Sequence, residues 1–145
     1  MFFLAELPTR DMIEGYADRH APGQGQAIKD ALVLMRRASA LIRELDAYFA
    51  GHGLSQLRFL TLIVIDREPD RDWLSFSEVA ARLDVSRPVI SRTVRALVGD
   101  GLLQERPDAD DKRARRLSLT PKAARALEAL LPGYFSIIAS QSQAR

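Results

Sequence analysis

The chain has 145 residues, of which 47% are hydrophobic and 28% charged, a composition that suits one globular domain and argues against wholesale disorder. Its formal net charge is only +2, and the absence of cysteine excludes disulfides, thiolate zinc sites and thiol-based redox sensing. His20 and His52 are isolated from other ligand residues, so we expect neither a metal site nor a cofactor. No apolar run is long enough to span a membrane and no secretory signal is evident, so we expect a cytoplasmic protein.

The first third of the sequence predicts two helices. Thr9 is placed to cap a short helix running towards Arg19, and a breaker-rich link at 21–26 separates it from a long helix over about 27–49. The apolar stripe of the long helix consists of Ile28, Leu32, Leu34, Met35, Leu41, Ile42, Leu45, Tyr48 and Phe49. A stripe this wide predicts a helix that packs on its own domain and also on a second subunit. A helix at the centre of a monomeric core is the alternative.

Two glycines, Gly51 and Gly53, are expected to end the long helix, because glycine accepts the left-handed conformation of a C-cap. Ser55 can cap the next helix, which stops by Pro69. The short apolar segment Trp73–Leu74 then predicts a single strand-like pairing.

Two short capped helices follow. Ser75 and Glu78 have the spacing of a capping box, in which each residue's side chain bonds to the other's backbone N–H. Ser86 is expected to cap the second helix, with Pro88 in its first turn, where the missing N–H costs nothing. The apolar face of that helix consists of Ile90, Val94, Leu97 and Val98. Two short helices joined in this way predict a helix-turn-helix.

The residue pattern changes after the second short helix. Segments 102–106 and 114–119 are predicted to be the strands of a β-hairpin, with a turn-rich tip at 107–111. Thr120–Pro121 predicts the start of a final helix, which we expect Pro132–Gly133 to kink or interrupt. The apolar stripe of that helix is predicted to be Ala124, Leu127, Leu131, Phe135 and Ile138.

Basic side chains are concentrated in one region. Between Arg82 and Arg116 there are nine basic and six acidic residues, a balance of +3, whereas the remainder has twelve basic and thirteen acidic residues. A local excess of this kind suits a polyanion-binding face, and an ordinary solvated surface explains it about as well.

A helix pair followed by a hairpin is the winged form of the helix-turn-helix, whose second helix enters the DNA major groove. Arg92 is the expected guanine contact, because a guanidinium fork matches the O6 and N7 acceptors. Arg95 is expected to meet the phosphate backbone, and Val89 a thymine methyl. The predicted DNA-binding residues on the helix are Ser86, Arg87, Pro88, Val89, Ser91, Arg92 and Arg95.

On the hairpin, the predicted DNA-binding residues are Lys112, Arg113 and Arg115. An arginine at such a tip can enter a narrow minor groove, where the negative potential is enhanced, and Asp111 is predicted to orient its guanidinium. A solvated turn whose acids and bases merely pair is the alternative.

These motifs together resemble the MarR family of winged helix-turn-helix transcriptional regulators. Residues 74–97 resemble its helix pair, and Gly101–Pro107, Asp110–Arg113 and Leu117–Pro121 resemble its wing. The triplet Asp111-Lys112-Arg113 matches the family's Asp-x-Arg signature, in which the arginine approaches the minor groove.

The resemblance implies a mainly α fold with a small β-hairpin. A winged-helix domain at 54–120 would be flanked by dimerisation helices at 1–50 and 121–145. It also implies a homodimeric repressor that binds a pseudo-palindromic operator in double-stranded DNA and is released by a small aromatic effector. About two dozen residues follow Pro121, fewer than the family's closing pair of helices needs. Either the N-terminal helices supply more of the dimer contact, or the native C-terminus is shortened.

Two other classes of function compete with DNA binding. An enzyme is not expected, since the sequence has no Gly-rich phosphate loop, HExxH motif or nucleophile elbow. A winged-helix protein–protein interaction module is the more serious alternative, and it would present an apolar outward face. No effector-binding residue is predicted, because aromatic residues at helical spacing are more often core. Residues near the family's pocket are Tyr48, His52, Arg58, Phe59 and Trp73.

Overall fold

The computed structural model describes residues 2–143, with side chains described as far as residue 140. In this part of the chain six helices and a three-stranded antiparallel sheet are present, which confirms the predicted fold class. The elements are α1 (Arg10–His20), α2 (Gly25–Ala50), α3 (Gln56–Asp66), β1 (Trp73–Ser75), α4 (Phe76–Arg82), α5 (Arg87–Gly99), β2 (Leu103–Pro107), β3 (Arg115–Leu119) and α6 (Pro121–Gln143). None of these helices combines the length and hydropathy needed to cross a bilayer. The contacts divide the chain into two compact units, Met1–Leu45 and Asp46–Arg145.

The first unit contains α1 and most of α2. Thr9 caps α1 as predicted, its hydroxyl accepting a hydrogen bond from the Met12 N–H. Ile13 and Ala17 are the buried residues of α1. Much of the predicted apolar stripe of α2 stays exposed, with Leu34 at 68%, Met35 at 53% and Ile42 at 50%.

The core of the second unit is built around aromatic side chains. Phe49 and Phe59 are fully buried, with ring centroids 4.6 Å apart, and Tyr134 lies 4.9 Å from Phe59. Burial of each large ring removes much apolar surface from water, and ring pairs of this geometry add to the stabilisation. Helix α3 runs through this core and packs against α4, α5, α6 and the sheet. It therefore holds the parts of the winged domain together.

Of the kink or interruption predicted at Pro132–Gly133, the interruption is absent, because α6 continues past both residues. Gly133 meets a packing requirement here: a side chain at this position would collide with the Tyr48 ring, whose hydroxyl donates to the Leu130 carbonyl. The buried residues of α6 are Ala123, Leu127 and Leu130. The predicted stripe is therefore wrong apart from Leu127 and the half-buried Leu131, since Ala124, Phe135 and Ile138 are exposed. Both stripes fit helical spacing, and packing against α3 and β3 selects between them.

The sheet has the strand order β1-β3-β2. Trp73 pairs with Ser118 and Leu74 with Leu117, which confirms the pairing predicted for β1. Alternate residues of a strand point to opposite faces, so one face of the sheet is apolar and packed on the helices. Its buried members are Leu74, Leu103 and Leu117.

The two helix caps of the helix-turn-helix differ. At α4 both bonds of the capping box are present: the Ser75 hydroxyl accepts from the Glu78 N–H, and the Glu78 carboxylate accepts from the Ser75 N–H. The latter bond is the main reason why the pKa of Glu78 lies below its ordinary value. At α5, Ser86 occupies the N-cap position, but its hydroxyl makes no capping hydrogen bond. The predicted Ser86 cap is therefore correct in position and wrong in its bond.

Candidate nucleic-acid interface

Helix α5 has one buried face and one open face. Ile90, Val94 and Leu97 are buried, as predicted, where the helix packs against α3 and β2. Thr93 shares that face, and its hydroxyl donates to the Val89 carbonyl, so the buried oxygen has a partner. At 3.6 residues per turn, Pro88, Arg92 and Arg95 lie together on the opposite side, and all three are exposed.

The arginines of the open face are not neutralised by the protein. Within residues 2–140, no hydrogen bond, ion pair or ring contact engages the Arg92 or Arg95 side chain. Arg87, at the start of α5, is exposed and has its Cζ 5.3 Å from the centre of the Phe76 ring. A stacked arginine loses side-chain freedom while keeping its donors available.

The remaining predicted residues of α5 surround these arginines. Ser86 is exposed and its hydroxyl makes no capping bond, so both its O–H donor and its oxygen lone pairs are open to an external partner. Val89 and Ser91 are half-buried at the edges of the open face. The seven predicted residues thus lie at the N-cap and in the N-terminal two-thirds of α5.

The wing carries a second group of exposed cations. Lys112 and Arg113 are exposed, and neither side chain has a hydrogen-bond or ion-pair partner in the described part of the chain. Arg115 is also exposed, with Nε 3.9 Å from Glu105 Oε1. An ion pair this long and this open to water contributes little. Asp111 accepts a hydrogen bond from the backbone N–H of Arg113, at 2.9 Å, so it orients the backbone at the tip and not the guanidinium.

The carboxylate that binds a wing guanidinium is Asp108, which sequence reasoning did not single out. Its Oδ2 lies 2.7 Å from Arg116 Nε, while its Oδ1 accepts from the backbone N–H groups of Asp110 and Asp111. The Arg116 bond first, and then the two backbone bonds, lower the pKa of Asp108 to about 2. Asp108 therefore stays ionised at neutral pH and closes the turn at the tip.

Trp73 is a second residue that sequence reasoning placed only in a strand-like pairing. The Cζ atom of Arg116 lies 3.9 Å from the centre of its ring, and that of Arg71 lies 4.4 Å away. Arg71 in turn forms an ion pair with Glu78, the acidic partner of the α4 capping box. The β1–β3 register was the missing signal, since it makes Trp73 and Arg116 diagonal neighbours across the strands.

Some of the basic side chains between Arg82 and Arg116 have an acidic partner within the protein, and others do not. Arg82 is held by Glu68 at 2.8 Å, and Arg116 by Asp108. The cations on the open face of α5 and at the wing tip have no such partner among the described residues. Within residues 82–116, most of the cations without an acidic partner therefore lie on α5 and at the wing tip, the two elements for which the sequence predicts DNA contact.

Comparison with known proteins identifies the fold and the family. The family model described as MarR family matches residues 52–114, from before α3 to the wing tip. The HTH-type transcriptional repressor YetL of Bacillus subtilis is 31% identical over 137 residues, which cover 94% of this chain and 81% of YetL. The chain belongs to the MarR family. It is a transcriptional regulator, as the sequence predicted, in a family of regulators rather than enzymes.

Two solved structures of MarR-like proteins have the same fold. MOSR of M. tuberculosis, solved in complex with DNA, is 29% identical with a TM-score of 0.64, over 79% of this chain and 81% of that protein. Sco3205 of Streptomyces coelicolor, also in complex with DNA, has a TM-score of 0.73 at 21% identity, over 84% of this chain and 75% of that protein. The matched family segment 52–114 contains every predicted DNA-binding residue except Arg115.

The residues considered for an effector pocket have structural roles. Phe59 is core, the Tyr48 hydroxyl donates to the Leu130 carbonyl, and Trp73 lies against Arg116. Arg58 forms an ion pair with Asp100, and His52 Nδ1 lies 2.7 Å from the Tyr48 carbonyl oxygen.

Proposed function

We propose that this MarR-family regulator is a repressor that binds duplex operator DNA as a homodimer. Each winged domain, residues 54–120, reads one half-site of a pseudo-palindrome, and the helices at 1–50 and 121–145 form the dimer. The observation that carries this proposal is the set of exposed guanidinium groups on α5 that no carboxylate in the described part of the chain neutralises. The curated relative YetL carries the name repressor, and MOSR was solved with DNA.

Helix α5 is proposed to lie in the major groove. Arg92, central on the open face, has the donor fork that matches guanine O6 and N7. Arg87 and Arg95 neutralise phosphates, and the hydroxyls of Ser86 and Ser91 donate to phosphate oxygens. The apolar Pro88 and Val89 contact the groove floor, where a thymine methyl is the complementary group.

The wing is proposed to follow the backbone into the adjacent minor groove. Arg113 at the tip enters the groove, where a narrow A·T-rich stretch has the strongest negative potential. Lys112 and Arg115 flank it and meet phosphates. Asp111 contributes through its bond to the Arg113 N–H, which fixes the backbone direction from which the side chain departs.

The dimer is supported by apolar side chains that the chain leaves exposed. On α2 these are Leu34, Met35 and Ile42, and on α6 they are Phe135 at 59% and Ile138 at 38%. Exposed apolar residues repeating along a helix are typical of subunit interfaces. Sedimentation velocity is expected to show a dimer, and Ile42→Glu to shift it towards monomer. A wild-type monomer at micromolar concentration would contradict the homodimer.

The alternative, a protein–protein interaction module, is not favoured by the open face of α5. A protein-binding face of that kind would present mainly apolar side chains, whereas two of the three exposed residues at the centre of this face are Arg92 and Arg95. Release by a small aromatic effector remains a prediction from the family resemblance, and a cytoplasmic location remains a prediction from the sequence.

The test of DNA binding is its salt dependence. The affinity for a selected operator is measured by fluorescence anisotropy between 50 and 200 mM salt, a range over which several phosphate contacts give a steep fall. Arg95→Ala is expected to lower the slope of log K against log salt by about 0.9 per lost contact. Arg125→Ala removes an exposed arginine of α6 that is not among the proposed DNA-binding residues, and should leave the slope unchanged. A wild-type affinity that ignores salt would refute the proposed function.

A further inference from the structure

We infer that Trp73 is a positioning residue for the wing: its indole ring supports the Arg116 guanidinium, which fixes Asp108 and thereby the turn that presents Arg113. This inference rests on the proposed DNA contact of the wing. It assigns a role in DNA recognition to a residue of β1, a strand that carries none of the predicted DNA-binding residues.

The first step is the contact between strands. Trp73 pairs with Ser118, and Arg116 is two residues before Ser118 on the same face of β3. The guanidinium lies over the ring at 3.9 Å, a distance at which the ring quadrupole attracts the cation. The Arg116 side chain is only 29% exposed, so water screens this attraction less than at an open surface. The contact fixes the direction in which Arg116 points along the sheet.

The second step leads from Arg116 to the tip. The Asp108 side chain is 13% exposed and is bound by Arg116 on one oxygen. Its other oxygen accepts the N–H groups of Asp110 and Asp111, and Asp111 accepts the N–H of Arg113. The hydrogen bonds are therefore continuous from β3 to the residue proposed to enter the minor groove. If Arg116 loses its support, Asp108 can move, and the turn moves with it.

The third step concerns a second cation at the ring, Arg71. The Arg71 Cζ is 4.4 Å from the Trp73 ring centre, and Arg71 also pairs with Glu78 at the start of α4. Glu78 is fixed by the capping box with Ser75. The indole thus has one cationic neighbour tied to the helix-turn-helix and another tied to the wing. This arrangement fixes the position of the wing relative to the helix-turn-helix, which contains α5.

The experiment compares DNA with A·T-rich and G·C-rich flanks. Trp73→Leu keeps an apolar side chain but removes the quadrupole, and Trp73→Phe keeps a smaller aromatic face. We expect Arg113→Ala and Trp73→Leu each to reduce the preference for A·T-rich flanks by about fivefold. Trp73→Phe, which keeps an aromatic face, should retain most of that preference. In the double variant Trp73→Leu/Arg113→Ala the loss should not exceed that of Arg113→Ala alone, because both changes remove the same contact.

A purely structural role for Trp73 predicts another result. Destabilisation would lower binding to both flanks equally and leave the preference unchanged. That outcome, or full additivity in the double variant, would overturn the inference. If Arg113→Ala itself leaves the flank preference intact, the proposed minor-groove contact fails instead, so the two failures are distinguishable.

A second measurement does not depend on DNA. Trp73 is the only tryptophan in the sequence, so its emission reports on this contact. Arg116→Ala removes the side chain that lies over the ring, together with its charge and its bond to Asp108. We expect acrylamide to quench Trp73 more strongly in Arg116→Ala than in the wild-type protein, with Arg125→Ala as the matched control. Equal quenching in all three proteins would show that Arg116 does not cover the indole, and the inference would fall.

Discussion

Replacement of Arg92 by alanine tests the reading of bases by α5 most directly. In the free protein the Arg92 side chain is exposed and, among the described residues, engages no partner. Its removal therefore leaves no buried group unsatisfied and opens no cavity. The free energy of unfolding should change by less than about 0.5 kcal/mol, as for other surface substitutions away from packed sites.

The effect on DNA binding should be much larger. A bidentate arginine–guanine contact contributes about 1–3 kcal/mol of discrimination, which corresponds to roughly 5- to 150-fold in affinity for each half-site. Loss of the same residue from both protomers affects both half-sites of a palindrome. The loss should be confined to sequences with the preferred base, because binding to phosphates is retained by the neighbouring Arg95.

The assay is a binding titration on a set of operators with each base substituted in turn at the position that Arg92 reads. Thermal unfolding of the same samples measures stability, and Arg125→Ala serves as the matched control. The reasoning would be refuted if Arg92→Ala kept the wild-type ranking of the four bases. A clear loss of stability without any change in base preference would equally show that Arg92 supports the fold.

Three further predictions concern stability. Ser75→Ala should lower the free energy of unfolding by about 1 kcal/mol, because it breaks the capping box of α4. Ser86→Ala should lower it far less, since the Ser86 hydroxyl makes no capping bond. Urea unfolding measures both variants, and equal losses would contradict the difference between the two caps. The pKa of Asp108 is lowered from 3.8 to about 2, so its stabilising bond to the wing is complete above pH 4 and lost as the pH falls towards 2. Asp108→Asn should therefore lower Tm at pH 7 but not at pH 2, and a deficit that persists at pH 2 would exclude this linkage. Gly133→Ala should destabilise the protein by roughly 1–3 kcal/mol, because the added methyl group collides with the Tyr48 ring. Gly99→Ala has open space around the added methyl group and should stabilise the protein by up to about 1 kcal/mol. If both variants changed the free energy of unfolding in the same direction, packing around Gly133 would not explain its effect.

Most of the elements could be predicted because their signals are local. A capping residue, a glycine after a helix or a turn-rich tip acts within a few residues of itself, so Thr9, Ser55 and Ser75 marked the starts of helices correctly. The wrong details concern α6. Its buried stripe depends on packing against α3 and β3, and the need for glycine at position 133 depends on Tyr48, all of which lie far away in the sequence.

The candidate DNA-binding site could likewise be predicted in part from the sequence. Helical spacing alone places Arg92 and Arg95 opposite the buried face, and the structure agrees. Spacing does not indicate which of several adjacent acids and bases pair at a hairpin tip. Asp111 was expected to orient the guanidinium at the tip, but it bonds to the Arg113 backbone N–H; the carboxylate that binds a wing guanidinium is Asp108, whose partner is Arg116, brought to it by the strand register.

The order of the helices and the hairpin, the open face of α5 and the resemblance to the MarR family all follow from the sequence, since each depends on neighbours along the chain. Which charges stay free depends on how the elements pack. Ion pairs such as Arg82 with Glu68 and Arg116 with Asp108, and the stacking of Arg116 on Trp73, join residues whose separation in space is set by packing. Electrostatic attraction falls off with distance, so the number of charges in the sequence cannot distinguish a cation held by the protein from one available to DNA.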